Sequence, residues 1–312
     1  MKPIVTTRER PENPRERTGT KGPTPPARDF PKRPPPGHRT VTDRQESAGT
    51  VTSVRILVTN DDGFAAPGLH ALASAMREVT DDVLLVAPLE ERSGSGAAIG
   101  AIHISQRVLF QPVEISGLPG MAAYAVDGPP ALAVLTAARG GFGAPPDIVV
   151  SGINPGVNTG RAVVHSGTVG AALTAGNLGI PAVAVSIDLD DKPPEWLTAA
   201  GIALDAVRWL ANGSEPAVLN INVPNLPRHE IAGVRYARLA HFGTVRASFA
   251  AAGEGVLELE WSETGATVDP DSDQGLVARG FAAITPLAGV TAAPNLGPDL
   301  LDLLGRTELI RT

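Results

Sequence analysis

From residue 54 onward, short runs of Val, Ile and Leu alternate with longer stretches in which apolar side chains recur every three or four positions. The runs VRILVT (54–59), DVLLVA (82–87), DIVV (147–150), AVAVSI (182–187) and AVLNINV (217–223) are almost continuously apolar. Strands of a parallel sheet covered on both faces must look like this. Between them, GLHALASAMREV (68–79), PPALAVLTAARG (129–140), SGTVGAALTAGNLG (166–179) and EWLTAAGIALDAVRWLANG (195–213) carry helical periodicity. The alternation predicts an α/β fold, a doubly wound and mostly parallel sheet with right-handed crossovers. After residue 228 the runs VRYARLAHF, GVLELEW and GFAAITPL carry strand signals bounded by Gly, Pro and Asp, and GPDLLDLLGRT (297–307) predicts a terminal helix. We therefore expect a core over residues 53–227, rejoined by 273–290, and a C-terminal hairpin and helix arm over 228–312. Such an arm cannot bury its apolar face alone, so pairing with a second copy is expected; packing back onto its own core is the alternative.

Residues 1–52 break this pattern. They are rich in Pro, Arg, Thr and Glu, as in TKGPTPPARDFPKRPPPGH, with almost no apolar periodicity. A disordered tail is expected, because such a segment buries too little surface to offset its ordering entropy; a proline-motif ligand is the alternative. The segment also lacks the apolar core of a secretory signal, so a cytoplasmic location is expected. No apolar run reaches the roughly 18 residues a membrane helix needs.

Charge narrows the choice of partner. Residues 1–50 carry a net charge of +5, which leaves −12 on residues 51–312. An acidic body of this kind does not attract nucleic-acid backbones, and a small anionic substrate needs a cation to mediate. With no cysteine in the chain, thiolate chemistry, zinc–thiolate sites and iron–sulfur clusters are excluded. Any metal must be held by oxygen or histidine.

The oxygen atoms collect at strand ends. Asp61 and Asp62 directly follow the first apolar run, before Pro67 opens a helix, so they occupy a loop at the carboxyl end of a strand, where doubly wound folds bind ligands. Two adjacent carboxylates repel unless solvent, helix amides or a cation compensates; in isolation Asp-Asp-Gly also reads as an ordinary turn. After the second run comes a Ser- and Gly-rich loop, Ser93–Gly96, and after the third comes SGINPGVNTG with Asn154 at its centre. Asp, Ser and Asn oxygens together suit a hard divalent cation, Mg²⁺ or Mn²⁺, with Ca²⁺ not separable from them by ligand type. Ser166, Gly167 and Thr168 open the next helical stretch, where free amides and hydroxyls make a phosphate cradle; Ser166 as a simple N-cap is the competing reading. A P-loop, a dinucleotide fingerprint, a nucleophile elbow and the HExxH metal pair are absent. Of the histidines only His165 lies in one of these loops.

The blocks NDDG (60–63), APG (66–68), VAPLEERSG (86–94), PDIVVSGIN (146–154), HSGTVGAA (165–172), LGIPAVAVS (178–186) and NINVPNLP (220–227) resemble, in the same order, the SurE family of survival-protein nucleotidases. The similarity extends over about residues 54–290. It implies a Rossmann-like core, a homodimer or homotetramer built through an exchanged C-terminal arm, and a divalent-metal-dependent phosphatase acting on nucleoside 5′- or 3′-monophosphates. The family's metal ligands fall on Asp61, Asp62, Ser93 and Asn154, and its phosphate-site positions on Asn60, Gly94, Ser166, Gly167 and Thr168. Catalysis then rests on Asp61 and Asp62, either through a metal-oriented water or through a carboxylate nucleophile. This chain departs from the family at DGPPALAV (127–134), which lacks a Thr, an Asp and a Cys, at Arg161 and Ala162, and at Thr174. Altered substrate preference, or a non-catalytic protein binding a phosphorylated small molecule, is the alternative function.

Overall fold

Strand β1 (Ile56–Thr59) sits inside a nine-stranded sheet, between β2 (Val83–Pro88) and β5 (Ile148–Pro155), and runs parallel to both. The computed structural model describes residues 54–213, 217–241, 245–253, 255–263 and 267–291. The segment 1–52 and the helix expected over 297–307 lie outside the described residues. On one side of β1 the sheet continues through β2 to β4 (Ala122–Val126) and the antiparallel edge strand β3 (Phe110–Pro112). On the other side it passes through β5 to β6 (Ala182–Ile187) and β7 (Val218–Val223), all parallel. Two later strands close that edge: β11 (Ala282–Leu287) pairs antiparallel with β7, and β8 (Val234–Tyr236) runs parallel to β11. The long antiparallel hairpin of β9 (Val245–Gly253) and β10 (Val256–Glu263) forms a separate sheet.

Strands β1, β2, β6 and β7 are buried at every position because helices cover both faces. Ile56 and Val58 point to one face, where α1 (Pro67–Met76) and α5 (Trp196–Ala211) supply Leu69, Leu72, Met76, Ile202 and Val207. Leu57 points to the other, where α3 (Pro130–Ala138) and α4 (Gly167–Asn177) supply Leu132, Val134, Val169 and Ala172. Helix α1 starts with Pro67, whose missing N–H costs nothing in the first turn, and buries Leu69, Leu72, Ala73 and Met76 on one stripe. The fold is thus a doubly wound α/β layer. Among the described residues no helix is long and apolar enough to cross a membrane.

The chain winds outward from β1 to β2 in one direction and returns past it to β5 in the other. The crevice between the carboxyl ends of β1 and β5 is therefore the point where strand order reverses, and ligands of such sheets bind there. A register shift between Ser151 and Asn154 adds one residue to β5 against β6. That bulge sets Asn154 beside Ser186 at the mouth of the crevice.

Residues 101–126, to which the apolar pattern assigned no element, hold a single turn of helix α2 (Ile102–Ser105), β3 and β4. The sequence of β4, AAYAV, is short and Ala-rich, and Ala has weak strand preference. Its place in the sheet comes from pairing with β2.

Candidate active site

The loop after β1 carries Asn60, Asp61 and Asp62 into the crevice. Asn60 is fully buried and Asp61 is 3% exposed. The Asn60 amide nitrogen donates to the Gly63 carbonyl at 3.0 Å, closing a local turn, while its Oδ1 is buried without a partner. Oδ1 of Asp61 accepts from the Thr168 hydroxyl. Burial pushes the Asp61 carboxyl above its ordinary range, and the Thr168 hydroxyl with the amides of Thr168 and Gly167 opposes that. Asp62 is pushed up to about 7, first by burial, then by the charges of Asp61 and Glu91. Its Oδ2 is shut off from solvent and has no hydrogen-bond partner.

Helix α4 faces this pair end-on. Ser166 is its N-cap: the side-chain oxygen accepts from the Val169 amide at 3.1 Å. The cap reading of Ser166 therefore holds, and it sets the end of the helix dipole toward the carboxylates. Gly167 is required by close approach. A Cβ at this position would lie 2.7 Å from both Asp61 Oδ2 and Ser95 Oγ. Gly170, one turn on, lets the helix press against the carbonyl of Gly96 in the loop after β2.

Asn154, at the end of β5, donates from Nδ2 to the Gly156 carbonyl at 2.6 Å. This turns its Oδ1 toward the Thr168 hydroxyl, 3.4 Å away. Asp61, Thr168 and Asn154 thereby form one contiguous polar group. The loop bearing Ser93 and Gly94 is fixed to it by backbone: the Arg92 amide donates to the Asp61 carbonyl at 2.7 Å, and the Gly96 amide to the His165 carbonyl at 3.1 Å. Ser93 and Gly94 are nonetheless exposed, and the Ser93 hydroxyl donates to Glu91 at 2.9 Å. Ser93 is thus close in the loop but is engaged with Glu91.

Among the described residues no group of three or more His, Cys, Asp or Glu is placed to hold a metal ion. What the crevice offers is two carboxylates and several neutral oxygens, of which Asp62 Oδ2 and Asn60 Oδ1 are buried without partners. Buried acceptors left unpaired are costly, and two like charges held together need a counter-charge. That donor set fits a hard divalent cation.

Two residues carry weight that the sequence did not advertise. Ser95 converges with Asp61 on Gly167, yet among Ser and Gly neighbours in a loop nothing distinguishes it. Asp273, the first residue of helix α6 (Asp273–Ala278), is fully buried; it accepts from the amides of Gly160 at 2.8 Å and Ala240 at 3.0 Å. It thereby ties down the short 3-10 helix Gly160–His165 that leads into Ser166. The run DQGLVARGFAAITPL (273–287), which starts at Asp273, is itself similar to the family, but nothing in it singles out the carboxylate. Of the departures from the family pattern, Asp127 pairs with Arg92 at 3.1 Å on the surface, Arg161 is exposed and reaches His241 at 3.4 Å, and Thr174 donates to the Gly170 carbonyl at 2.7 Å within α4.

Residues 56–248 match the profile of the survival protein SurE family. The chain is 37% identical over 251 residues to the 5′-nucleotidase SurE of Desulfitobacterium hafniense, covering 75% of this chain and 90% of that protein. It is 38% identical over 241 residues to the 5′/3′-nucleotidase SurE of Serratia proteamaculans, again covering 75% and 90%. The crystal structure of the SurE protein from Aquifex aeolicus superposes with a TM-score of 0.68 at 27% identity, covering 80% of this chain and 99% of that one. The crevice of β1, β5 and α4 thus lies within a chain that belongs to the survival protein SurE family.

Proposed function

We propose that this chain is a divalent-metal-dependent nucleotidase that hydrolyses nucleoside 5′- or 3′-monophosphates. The observation that carries the reading is the adjacent pair of buried Asp61 and half-buried Asp62, with unpaired oxygens on Asp62 and Asn60, beside the N-terminus of α4 in a family of named nucleotidases. Asp61, Asp62 and Asn154 would hold the cation, joined by Ser93 once its hydroxyl turns from Glu91. When bound, Mg²⁺ or Mn²⁺ supplies positive charge against the phosphoryl oxygens and acidifies a water.

The chain's own groups do the rest. The Ser166 hydroxyl proton receives the phosphate at the positive end of the α4 dipole, the Val169 amide being held by the Ser166 oxygen and the Gly167 and Thr168 amides turned to Asp61. Thr168 holds Asp61 and so cannot also serve the phosphate through the same proton. Asp62 Oδ2, the carboxylate oxygen with no protein partner, accepts the proton of the water that attacks phosphorus; the phosphorus–oxygen bond to the nucleoside breaks, and that proton passes from Asp62 to the departing oxygen. Assembly as a homodimer or homotetramer goes with this reading, supported by Phe249, Leu257 and Leu259 left exposed on the β9–β10 hairpin.

The test is phosphate release from a panel of nucleoside 5′- and 3′-monophosphates and p-nitrophenyl phosphate, with Mg²⁺, Mn²⁺ or EDTA. Release that needs the metal and ranks nucleotides above p-nitrophenyl phosphate is the expected result. Stabilisation by a nucleotide without phosphate release would identify a binding protein instead.

A further inference from the structure

The Ser95 hydroxyl stands beside the carboxylate site, in the loop after β2. Ser95 is only partly buried as a residue, but its Oγ is closed off from solvent and has no hydrogen-bond partner. Buried hydroxyls are normally paired, so an unpaired one marks a place where a partner is taken up or turned to. The backbone around it is fixed on both sides: the Ser95 amide donates to the Arg92 carbonyl at 3.2 Å, the Arg92 amide to the Asp61 carbonyl, and the Gly96 amide to the His165 carbonyl. Only the side-chain torsion is left to adjust.

Asp61 Oδ2 lines the same small space. Both oxygens crowd the same point beside the bare Cα of Gly167, each 2.7 Å from where a Cβ would stand. The other carboxylate oxygen, Oδ1, is already held by Thr168. We propose that Ser95 is a positioning residue for Asp61: its hydroxyl rotates to donate to Oδ2 when the cation binds, so that one hydroxyl holds each carboxylate oxygen and fixes the plane of the ligand. The role is separate from that of Ser93, whose hydroxyl points to Glu91. It rests on the metal site proposed above and adds a residue that acts through Asp61 without touching the cation.

Calorimetric titration of Mn²⁺ into the full chain tests it, comparing wild type with Ser95→Ala, Ser95→Thr and Ser95→Cys. Residues that orient metal ligands typically change affinity about tenfold to a hundredfold. Ser95→Ala should weaken Mn²⁺ binding by about tenfold or more, while its metal-free melting temperature does not fall, because the lost oxygen had no partner to lose. Ser95→Thr, which keeps the hydroxyl, should restore affinity. Since the chain has no native cysteine, Ser95→Cys places one thiol beside the site, and its Cd²⁺ affinity should match that of wild type. Tighter Cd²⁺ binding would mean residue 95 reaches the cation directly, and unchanged Mn²⁺ affinity in Ser95→Ala would reduce Ser95 to packing; either result overturns the proposal. Wild type that takes up no Mn²⁺ would instead remove the metal site itself, and with it both readings.

Discussion

The hydroxyl of Thr168 donates to Oδ1 of Asp61, joining the first turn of α4 to the loop after β1 across 107 positions of sequence. One hydrogen bond thereby couples the helix terminus suited to phosphate with the carboxylate pair suited to a cation. Thr168→Val keeps the shape and removes the donor, leaving a buried carboxylate oxygen short of a partner. A loss of about 1.5–3 kcal/mol is expected in urea denaturation without metal. Thr168→Ser should keep most of the stability.

Gly167→Ala addresses steric closeness instead of charge. The added carbon would stand 2.7 Å from Asp61 Oδ2 and Ser95 Oγ and 2.8 Å from Asp61 Cβ. Asp61 is tethered at both its backbone and its side chain, so it cannot yield cheaply. Circular dichroism should report a folded protein destabilised by about 1–3 kcal/mol, and calorimetry should find Mn²⁺ binding lost.

The Rossmann-like core was legible because β1, β2, β6 and β7 are buried on both faces and so read as almost continuously apolar runs rich in Val, Ile and Leu. Strand β4 was not, because AAYAV acquires its strand character from its neighbours. The carboxylates of Asp61 and Asp62 stood out by adjacency, and Ser166 to Thr168 by opening a helix. Their joining through Thr168 was invisible, since no local pattern links residues so far apart. Ser93 and Ser95 look alike in the sequence RSGSG; only the fold shows one hydroxyl given to Glu91 and the other facing Asp61 across Gly167.

Asp273 makes a prediction about the far wall of the site. Its two carboxylate oxygens hold the amides of Gly160 and Ala240. In Asp273→Asn one acceptor becomes a donor facing an N–H. A loss of about 1–3 kcal/mol is expected. Hydrogen exchange at the Gly160 and Ala240 amides should accelerate, whereas exchange in β1 and β2 should follow only the global change.

Asp188, at the end of β6, gives a pH dependence. Burial raises its pKa, with a smaller contribution from Asp190, and the Leu189 amide opposes. The native state therefore binds its proton more tightly than the unfolded chain, so stability falls as pH rises from the unfolded value of 3.8 to the raised native one. Asp188→Asn should melt higher than wild type at pH 8, and the two should converge near pH 4. Solvent screening at this partly exposed position keeps the gain small. A difference that grows on acidification would reverse the sign and refute the assignment.

The most direct measurement compares phosphate release from adenosine 5′-monophosphate by wild type and Asp62→Asn, each with Mn²⁺ and with EDTA. Metal-dependent release by wild type, lowered at least a hundredfold in a folded Asp62→Asn variant, is the predicted result. Undiminished release by Asp62→Asn, or release by wild type that persists in EDTA, would contradict the assignment of the Asp61–Asp62 crevice as the seat of a metal-dependent nucleotidase.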